Sequence, residues 1–248
     1  MARAVIVKLG GSVITDKSKP FSYRSDVVSA LAEEIASSDE KVLVVHGGGS
    51  FGHTVAKEQG ISSDEAAANA AAVSKTRGAM YDLDSLLCKT MTENKLFPYS
   101  FSPFDVIAKA GRALVSQWLR GLLKSGLTPV TFGDVTPTPA GFRVLSGDLM
   151  VLELAKILEP ERCIFALDAD GVYEEGTRVI IPELSPSKIR KMHVSKGEDV
   201  TGGMKLKLEV AAKIATLGIS VCLVSGYRRN EFAKALKGLE FYGTVIRS

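Results

Sequence analysis

Short apolar runs alternate with longer amphipathic segments along most of the chain. Residues 4–9 and 41–45 are rich in β-branched side chains with few polar interruptions, which predicts strands that are buried on both faces. Similar runs predict further strands at residues 97–102, 128–132, 163–167, 219–224 and 241–246. We expect the last of these strands to close the sheet.

The segments between the runs repeat apolar residues at helical spacing. This spacing predicts helices at residues 25–37, 62–95, 114–124, 146–158 and from residue 201 onwards. Ser25 is expected to cap the first helix, and Ser62 with Glu65 to form a capping box for the second. Residues 135–145 predict a β-hairpin, and residues 13–23 a loop or hairpin.

Strands that alternate with helices favour an α/β fold, here a three-layer αβα sandwich with a mainly parallel central sheet. We expect one domain over residues 1–248. Ligands of such sheets bind at the carboxyl ends of the strands. Five glycine-bearing turns follow predicted strands, at Gly10-Gly11, at residues 47–49, and at Gly133, Gly171 and Gly226.

The most informative stretch is His-Gly-Gly-Gly-Ser-Phe-Gly-His at residues 46–53. An apolar strand ends at three glycines, which lets backbone N–H groups approach an anion, and Ser50 is placed to cap the helix that follows. This combination predicts a phosphate-binding turn. Lys8, Lys17 and Lys207 fall near such turns, so a site for more than one phosphate is expected.

Residues 47–52 also match the Gly-x-Gly-x-x-Gly dinucleotide fingerprint. A dinucleotide fold requires a strand with a terminal acid soon after the glycine-opened helix, and no strand candidate occurs before residue 97. A nicotinamide enzyme is therefore disfavoured. The sequence contains neither a P-loop nor the motif set of protein kinases.

Composition and charge limit the kinds of partner that the protein is expected to bind. The net charge of +3 is too small to favour nucleic acid, and Cys88, Cys163 and Cys222 lack metal-ligand spacing. They are interpreted as core residues in a reducing compartment. No secretory signal or membrane-spanning run is apparent, so we expect a cytoplasmic protein that does not bind membranes.

Five motifs occur in an order that resembles the amino acid kinase superfamily over the whole chain. They are Lys-Leu-Gly-Gly-Ser at residues 8–12, His-Gly-Gly-Gly at 46–49, Ser-Gly-Asp at 146–148, Asp-Gly-Val-Tyr at 170–173 and Thr-Gly-Gly-Met at 201–204 with Lys207. Residues 11–17 and 48–53 resemble in particular the isopentenyl phosphate kinase family, in which a histidine follows Ser-Phe-Gly.

The resemblance implies a role for each matching residue. Lys8 and Lys207 would contact the ATP phosphates, Lys17 would stabilise the transferring phosphoryl group, and Asp148 would orient the lysines. The expected catalytic residues are Lys8, Lys17, His53, Asp148 and Lys207. The expected ATP-binding residues are Lys8, Gly10, Gly11, Ser12, Gly49, Asp168, Asp170, Gly171, Val172, Tyr173, Gly203 and Lys207. The acceptor phosphate would be held by Gly48, His53 and Gly147.

The resemblance further implies ATP-dependent phosphorylation of isopentenyl phosphate to isopentenyl diphosphate in isoprenoid precursor synthesis. Mg²⁺ would be held mainly by phosphate oxygens, so that no protein ligand is required. Residues 1–160 would bind the acceptor and residues 161–248 the nucleotide, and a homodimer is expected. The alternatives are a fosfomycin-type phosphonate kinase of the same fold and a nucleotide- or amino-acid-sensing domain without turnover.

Some of these residues also have a plainer interpretation. His46 could serve only to fix its turn, Asp168 could be a turn former, and Lys205 is expected to lie at the periphery. His193 lies in a polar stretch and is interpreted as solvated. Most apolar residues of the long helix would be core, although Val73 is a candidate for the wall of a prenyl pocket.

Overall fold

The computed structural model describes residues 4–58, 70–103, 111–139, 141–192 and 203–248. Its strands are β1 (Val5–Leu9), β2 (Val42–His46), β3 (Pro98–Ser100), β4 (Thr128–Phe132), β5 (Asp134–Thr138), β6 (Gly141–Leu145), β7 (Arg162–Leu167), β8 (Glu183–Leu184), β9 (Ser220–Ser225) and β10 (Gly243–Ile246). Its helices are α1 (Gly11–Ile14), α2 (Ser25–Ala36), α3 (Gly49–Glu58), α4 (Ala70–Glu93), α5 (Arg112–Lys124), α6 (Gly147–Leu158), α7 (Pro186–Lys191), α8 (Gly203–Ala215) and α9 (Glu231–Leu236).

Eight strands form one sheet in the order β3-β4-β2-β1-β7-β9-β10-β8. All neighbouring pairs are parallel except β10 with β9, which is antiparallel. Strands β5 and β6 form a separate hairpin. The mainly parallel sheet is confirmed. The prediction that the last strand closes the sheet is wrong, because the two-residue strand β8 pairs beyond β10.

Helices cover both faces of the sheet. Ile6 of β1 packs into one core with α5, α6, α7 and α8, whereas its neighbours Val5 and Val7 pack into another core with α1, α2, α3, α4 and α9. All five residues of β1 are buried, as a strand between two helical layers requires. The three-layer αβα sandwich is therefore confirmed. Within the described ranges, no helix is both long and apolar enough to cross a membrane.

Two predicted helix caps are wrong. Ser25 is the first residue of α2, which follows Arg24, and Ser50 lies inside α3, which begins at Gly49. Ser146 does cap α6, because its hydroxyl accepts a hydrogen bond from the Leu149 N–H. Each serine lies close to a helix start, but α2 begins one residue earlier than a cap at Ser25 requires, and α3 begins two residues earlier than a cap at Ser50 requires. The capping box at Ser62 and Glu65 lies outside the described residues.

Candidate active site

The glycine turns after β1, β2 and β4 pack directly against one another at the carboxyl end of the sheet. A Cβ on Gly11 would lie 2.4 Å from the backbone N of Gly49, and a Cβ on Gly47 would lie 2.8 Å from the N of Gly11. A Cβ on Gly133 would lie 2.8 Å from the N of Gly147. These glycines therefore let the backbones of neighbouring turns meet, a purpose separate from the phosphate binding that the sequence predicts for glycine turns.

Gly11→Ala should lower the free energy of unfolding by about 3 kcal/mol, since the added methyl group meets backbone atoms that cannot move aside as a side chain would. Gly78→Ala is the matched control. Gly78 lies on the exposed side of α4 with open space around its Cβ position, so the change should stabilise the protein by about 0.5–1 kcal/mol. Urea unfolding of both variants measures this, and equal effects would contradict the packing argument.

Asp148 joins two lysines at the centre of these turns. Its carboxylate lies 2.9 Å from Lys8 Nζ and 3.1 Å from Lys207 Nζ. Lys8 comes from the middle strand β1, Asp148 from the first turn of α6 and Lys207 from α8. The side chains are 7%, 11% and 14% exposed in that order, so all three charges are largely withdrawn from water.

Burial and charge act against each other in this cluster. Burial lowers the pKa of Lys8 to about 8, although the Asp148 carboxylate opposes the shift. Burial alone would raise the pKa of Asp148, but the two ammonium groups hold it well below its usual range. The cluster therefore carries two positive charges and one negative charge at neutral pH, and its net charge favours an anion.

The first cavity at this edge, called here the lysine cavity, is bounded by the turn after β1 and the start of α8. Its walls include Lys8, Gly10, Gly11, Ser12, Lys17, Asp148, Asp168, Gly203 and Lys207. Lys17 is exposed at its mouth, in the loop that follows α1. Nine residues that the family resemblance assigns to ATP binding or catalysis thus lie around one cavity.

The second cavity, called here the hairpin cavity, lies beneath the β5–β6 hairpin. The glycines on its wall include Gly47, Gly48, Gly52 and Gly147, and Met80 and Val144 add apolar surface. Lys8, Gly11 and Asp148 line both cavities. The two cavities therefore share one wall, which is made by Lys8, Asp148 and Gly11 of the first glycine turn.

A third cavity continues from the lysine cavity through Met204, which lines both. Its walls include Gly171, Val172 and Tyr173, three of the residues predicted to border a nucleotide. The carboxylate of Asp170 instead binds Arg228 through two hydrogen bonds, which lower its pKa. Asp170 is thus part of an ion pair beside this cavity.

The remaining predicted residues are placed differently. Gly49 has φ +49° and packs against Gly11 and Thr15, where a Cβ would lie 2.0 Å from the Thr15 hydroxyl. The backbone of His53 lies in α3, but its side chain is outside the described part of the structure, as are Thr201, Gly202 and His193.

An ion pair at the hairpin cavity was not predicted from the sequence. Arg77 of α4 contacts the buried carboxylate of Asp134 at 2.7 Å and donates to the Val135 carbonyl at 3.0 Å. Burial raises the pKa of Asp134 to about 6, against the opposing charge of Arg77. The pair attaches the hairpin to α4. The feature of the sequence that could have revealed this pair is an acidic residue, Asp134, directly after a predicted strand and Gly133.

A second buried polar group lies beneath the glycine run. One ring nitrogen of His46 is 3.2 Å from Asp84 of α4, and the other is 3.2 Å from the Gly47 carbonyl. Asp84 also accepts a hydrogen bond from Ser100 at 2.5 Å. Asp84 stands four residues after Met80 on the apolar side of α4, and an acid at such a position could have predicted a buried partner.

Comparison with known proteins decides the family. The family model described as "Amino acid kinase family" matches residues 3–225. The chain belongs to the amino acid kinase family. The resemblance drawn from the five sequence motifs is therefore confirmed.

Within this family, the chain is similar to isopentenyl phosphate kinases. The chain is 30% identical to the isopentenyl phosphate kinase of Thermoplasma acidophilum, over 98% of this chain and 100% of that protein. It is 31% identical to the isopentenyl phosphate kinase of Methanothermobacter thermautotrophicus, over 98% of each. The crystal structure of the T. acidophilum isopentenyl phosphate kinase product complex superposes with a TM-score of 0.81 at 26% identity, covering 98% of this chain and 100% of that one.

Proposed function

We propose that this amino acid kinase transfers the γ-phosphoryl group of ATP to isopentenyl phosphate and so forms isopentenyl diphosphate. The observation that carries the proposal is the pair of cavities that share Lys8, Gly11 and Asp148. One cavity offers lysines and glycine turns to a polyphosphate, and the other offers glycine turns at one end and apolar side chains at the other. The full-length similarity to isopentenyl phosphate kinases supports the same reaction.

ATP would occupy the lysine cavity and the third cavity. Lys8 and Lys207 would contact its phosphates, with Gly10, Gly11, Ser12 and Gly203 offering backbone groups. Asp148 would hold both lysines in place. Because phosphoryl transfer depends mainly on positioning and on neutralising charge, fixed ammonium groups at the junction would supply much of the catalysis. Lys17, at the mouth of the cavity, would stabilise the transferred group.

The acceptor would occupy the hairpin cavity with its phosphate on Gly48, Gly147 and His53. A phosphate monoester with a second pKa near 6 is largely dianionic at neutral pH, so its oxygen attacks without a general base. His53 would therefore act as a clamp for the phosphate. The prenyl tail would extend along Met80 and Val144 toward the small apolar cluster that contains Val73.

We propose that the reaction also uses Mg²⁺. Among the described residues, no group of three or more His, Cys, Asp and Glu side chains is arranged to hold a metal ion. Phosphate oxygens would supply most of its ligands, which suits the preference of Mg²⁺ for oxygen, and Asp168 on the wall of the lysine cavity is the carboxylate placed to assist. When bound, the ion would neutralise charge on the phosphates.

We also propose that the two halves of the chain bind different ligands. Residues 1–160 would provide the acceptor site and residues 161–248 most of the nucleotide site, with Lys8 and the turn after β1 serving both. The homodimer, expected from the family resemblance, stays a prediction. The cytoplasmic location, expected from the sequence pattern, stays a prediction as well.

Substrate identity is tested by measuring ATP consumption against isopentenyl phosphate, dimethylallyl phosphate, fosfomycin, N-acetylglutamate and UMP. We expect the highest kcat/KM with isopentenyl phosphate. Turnover of fosfomycin alone would replace the proposal by a phosphonate kinase. ATP binding without turnover of any acceptor would favour a sensing domain.

ATP affinity should fall as the pH rises above about 8, where Lys8 of the ligand-free protein loses its proton. The polyphosphate favours the charged ammonium, so binding above this pH requires proton uptake, and Kd should rise by up to about tenfold per pH unit. Calorimetric titration between pH 7 and 9.5 measures the effect. Lys8→Met should bind ATP more weakly and lose this dependence, and a flat profile in the unmodified protein would contradict the role of Lys8.

A further inference from the structure

Thr15 occupies a buried position between the glycine turns of the two cavities. Its hydroxyl donates a hydrogen bond to the Gly11 carbonyl at 2.7 Å and accepts one from the Ser50 N–H at 2.8 Å. The residue is 0% exposed. A single hydroxyl thus connects the turn after β1 with the start of α3.

The two hydrogen-bond partners of the Thr15 hydroxyl lie in different segments of the candidate active site. Gly11 lies in the wall shared by the lysine and hairpin cavities, and Ser50 directly follows the glycine run that lines the hairpin cavity. Thr15 also begins the loop that carries Lys17, and a β-bridge between Thr15 and Tyr23 closes the base of that loop. The hydroxyl therefore sets the separation of three segments.

Ser50 fixes the same loop at a second point. Its hydroxyl accepts a hydrogen bond from the Ser22 N–H at 3.1 Å, and its carbonyl accepts one from the Phe21 N–H at 3.4 Å. The ring of Phe21 also meets the ring of Phe51 edge-on, with centroids 5.3 Å apart. The loop from Thr15 to Tyr23 is thereby attached to α3 at both ends.

The chemistry of this contact requires a hydroxyl group. One partner is a carbonyl and the other an N–H, so the connecting group must donate and accept at once. Valine has nearly the same shape as threonine but can do neither, whereas serine can do both. Loss of the hydroxyl would leave the Gly11 carbonyl with its bond from the Thr15 N–H, but would leave the buried Ser50 N–H without this partner.

We propose that Thr15 is a positioning residue, which holds the Lys17 loop and the turn after β1 at a fixed distance from the glycine run of the acceptor side. This inference rests on the proposed phosphoryl transfer. ATP would be held mainly by the turn after β1, and the acceptor mainly by the glycine run at residues 47–49. The transfer of the phosphoryl group, in contrast, requires a fixed distance between these two segments. Loss of the hydroxyl should therefore slow the chemical step and leave the binding of each ligand nearly unchanged.

The test compares Thr15→Val with Thr15→Ser and with the control Thr131→Val. Thr131 is equally buried and its hydroxyl donates to the Phe101 carbonyl at 2.9 Å, away from the loop. Since small misplacements of reacting groups are costly, Thr15→Val should lower kcat by about 10- to 100-fold while KM for ATP changes by less than about threefold. Thr15→Ser should restore most of kcat, and Thr131→Val should keep it.

Hydrogen exchange separates this inference from the substrate assignment. In Thr15→Val, amide exchange should accelerate in peptides that cover residues 15–23 and 47–52, with no such change in Thr131→Val. Unchanged exchange, or equal kcat for Thr15→Val and Thr131→Val, would overturn the inference even if isopentenyl phosphate is the substrate. Absence of turnover in the unmodified protein would overturn the proposed function, and the exchange result would then decide on Thr15.

Ser50→Ala provides a second variant should Thr15→Val not fold. It removes the acceptor for the Ser22 N–H but keeps both bonds of the Thr15 hydroxyl. We expect faster exchange in residues 15–23 and a smaller loss of kcat than in Thr15→Val. Exchange and kcat equal to those of the unmodified protein would contradict the attachment of the loop to α3.

Discussion

Asp148→Asn is expected to lower the free energy of unfolding by about 3–5 kcal/mol at pH 7 without ligands, the usual cost of removing one partner from a buried ion pair. The change leaves Lys8 and Lys207 close together in a site where each side chain is less than 15% exposed, without the carboxylate that lies between them. It also removes the interaction that opposes the low pKa of Lys8, so Lys8 should lose its proton at a lower pH.

The pH dependence of this effect follows from the direction of the shifts. The pKa of Asp148 is depressed by folding, so its contribution is fully present above the unfolded value of about 4 and is lost as the pH falls through the folded value. The difference between the variant and the unmodified protein should also narrow above the Lys8 pKa of about 8, because one partner of Asp148 is then neutral.

Urea unfolding between pH 5 and pH 9 measures the effect of Asp148→Asn. Glu153→Gln is a suitable control, since it removes a carboxylate from the same helix whose ion pair with Lys156 is about one-third exposed. Such exposed pairs contribute little, so the control should unfold like the unmodified protein. Equal stability of the two variants at pH 7 would show that the lysine–aspartate cluster is not a stabilising unit.

Lys17→Met is expected to reduce kcat by about 10²- to 10³-fold, the range found when one preorganised donor to a developing charge is removed. Lys17 lines the lysine cavity and is exposed, whereas the side chains of Lys8 and Lys207 are largely buried. Because it would act on the transferred phosphoryl group rather than on the bound nucleotide, Kd for ATP should change little. Steady-state kinetics and calorimetric titration with ATP measure the two quantities separately.

Lys19→Met is the matched control for this experiment. Lys19 is exposed in the same loop, two residues from Lys17, and is not among the described residues that line the lysine cavity. The two variants remove the same charge from the protein. A similar loss of kcat in both would mean that the loop acts through its general charge, and an unchanged kcat in Lys17→Met would refute its proposed contact.

Much of the fold follows from local sequence pattern. The strands β1, β2, β4, β7 and β9 are continuous apolar runs because helices cover them on both faces, so each was predicted to within one or two residues. The two-residue strand β8 carries no periodic signal, and its pairing with β10 joins segments about 60 residues apart. A strand of that kind is determined by tertiary contact, which local pattern does not record.

The site was predictable where a residue type has few other uses. Consecutive glycines after strands, with lysines beside them, led to Lys8, Gly11 and Lys207 before any geometry was available. Asp148 was expected only from the resemblance to the amino acid kinase superfamily. The second use of Gly11 and Gly47, as contacts between turns, was not predictable because it depends on which strands become neighbours.

The hydrogen-bonded contacts behind the site were missed for a related reason. Arg77 and Asp134 are 57 residues apart, and the Ser50 N–H is 35 residues from the Thr15 hydroxyl that it contacts. Threonine, arginine and aspartate are common on protein surfaces, so their burial becomes evident only once α4, the hairpin and the glycine turns are assembled.

The central claim is that two phosphorylated molecules meet across the wall formed by Lys8, Gly11 and Asp148. A crystal structure of the protein with a non-hydrolysable ATP analogue and isopentenyl phosphate tests this most directly. The account predicts the γ-phosphate in the lysine cavity beside Lys8 and Lys207, and the acceptor phosphate in the hairpin cavity beside Gly48 and Gly147. An acceptor phosphate bound away from the hairpin cavity, or a γ-phosphate remote from Lys8, would contradict it.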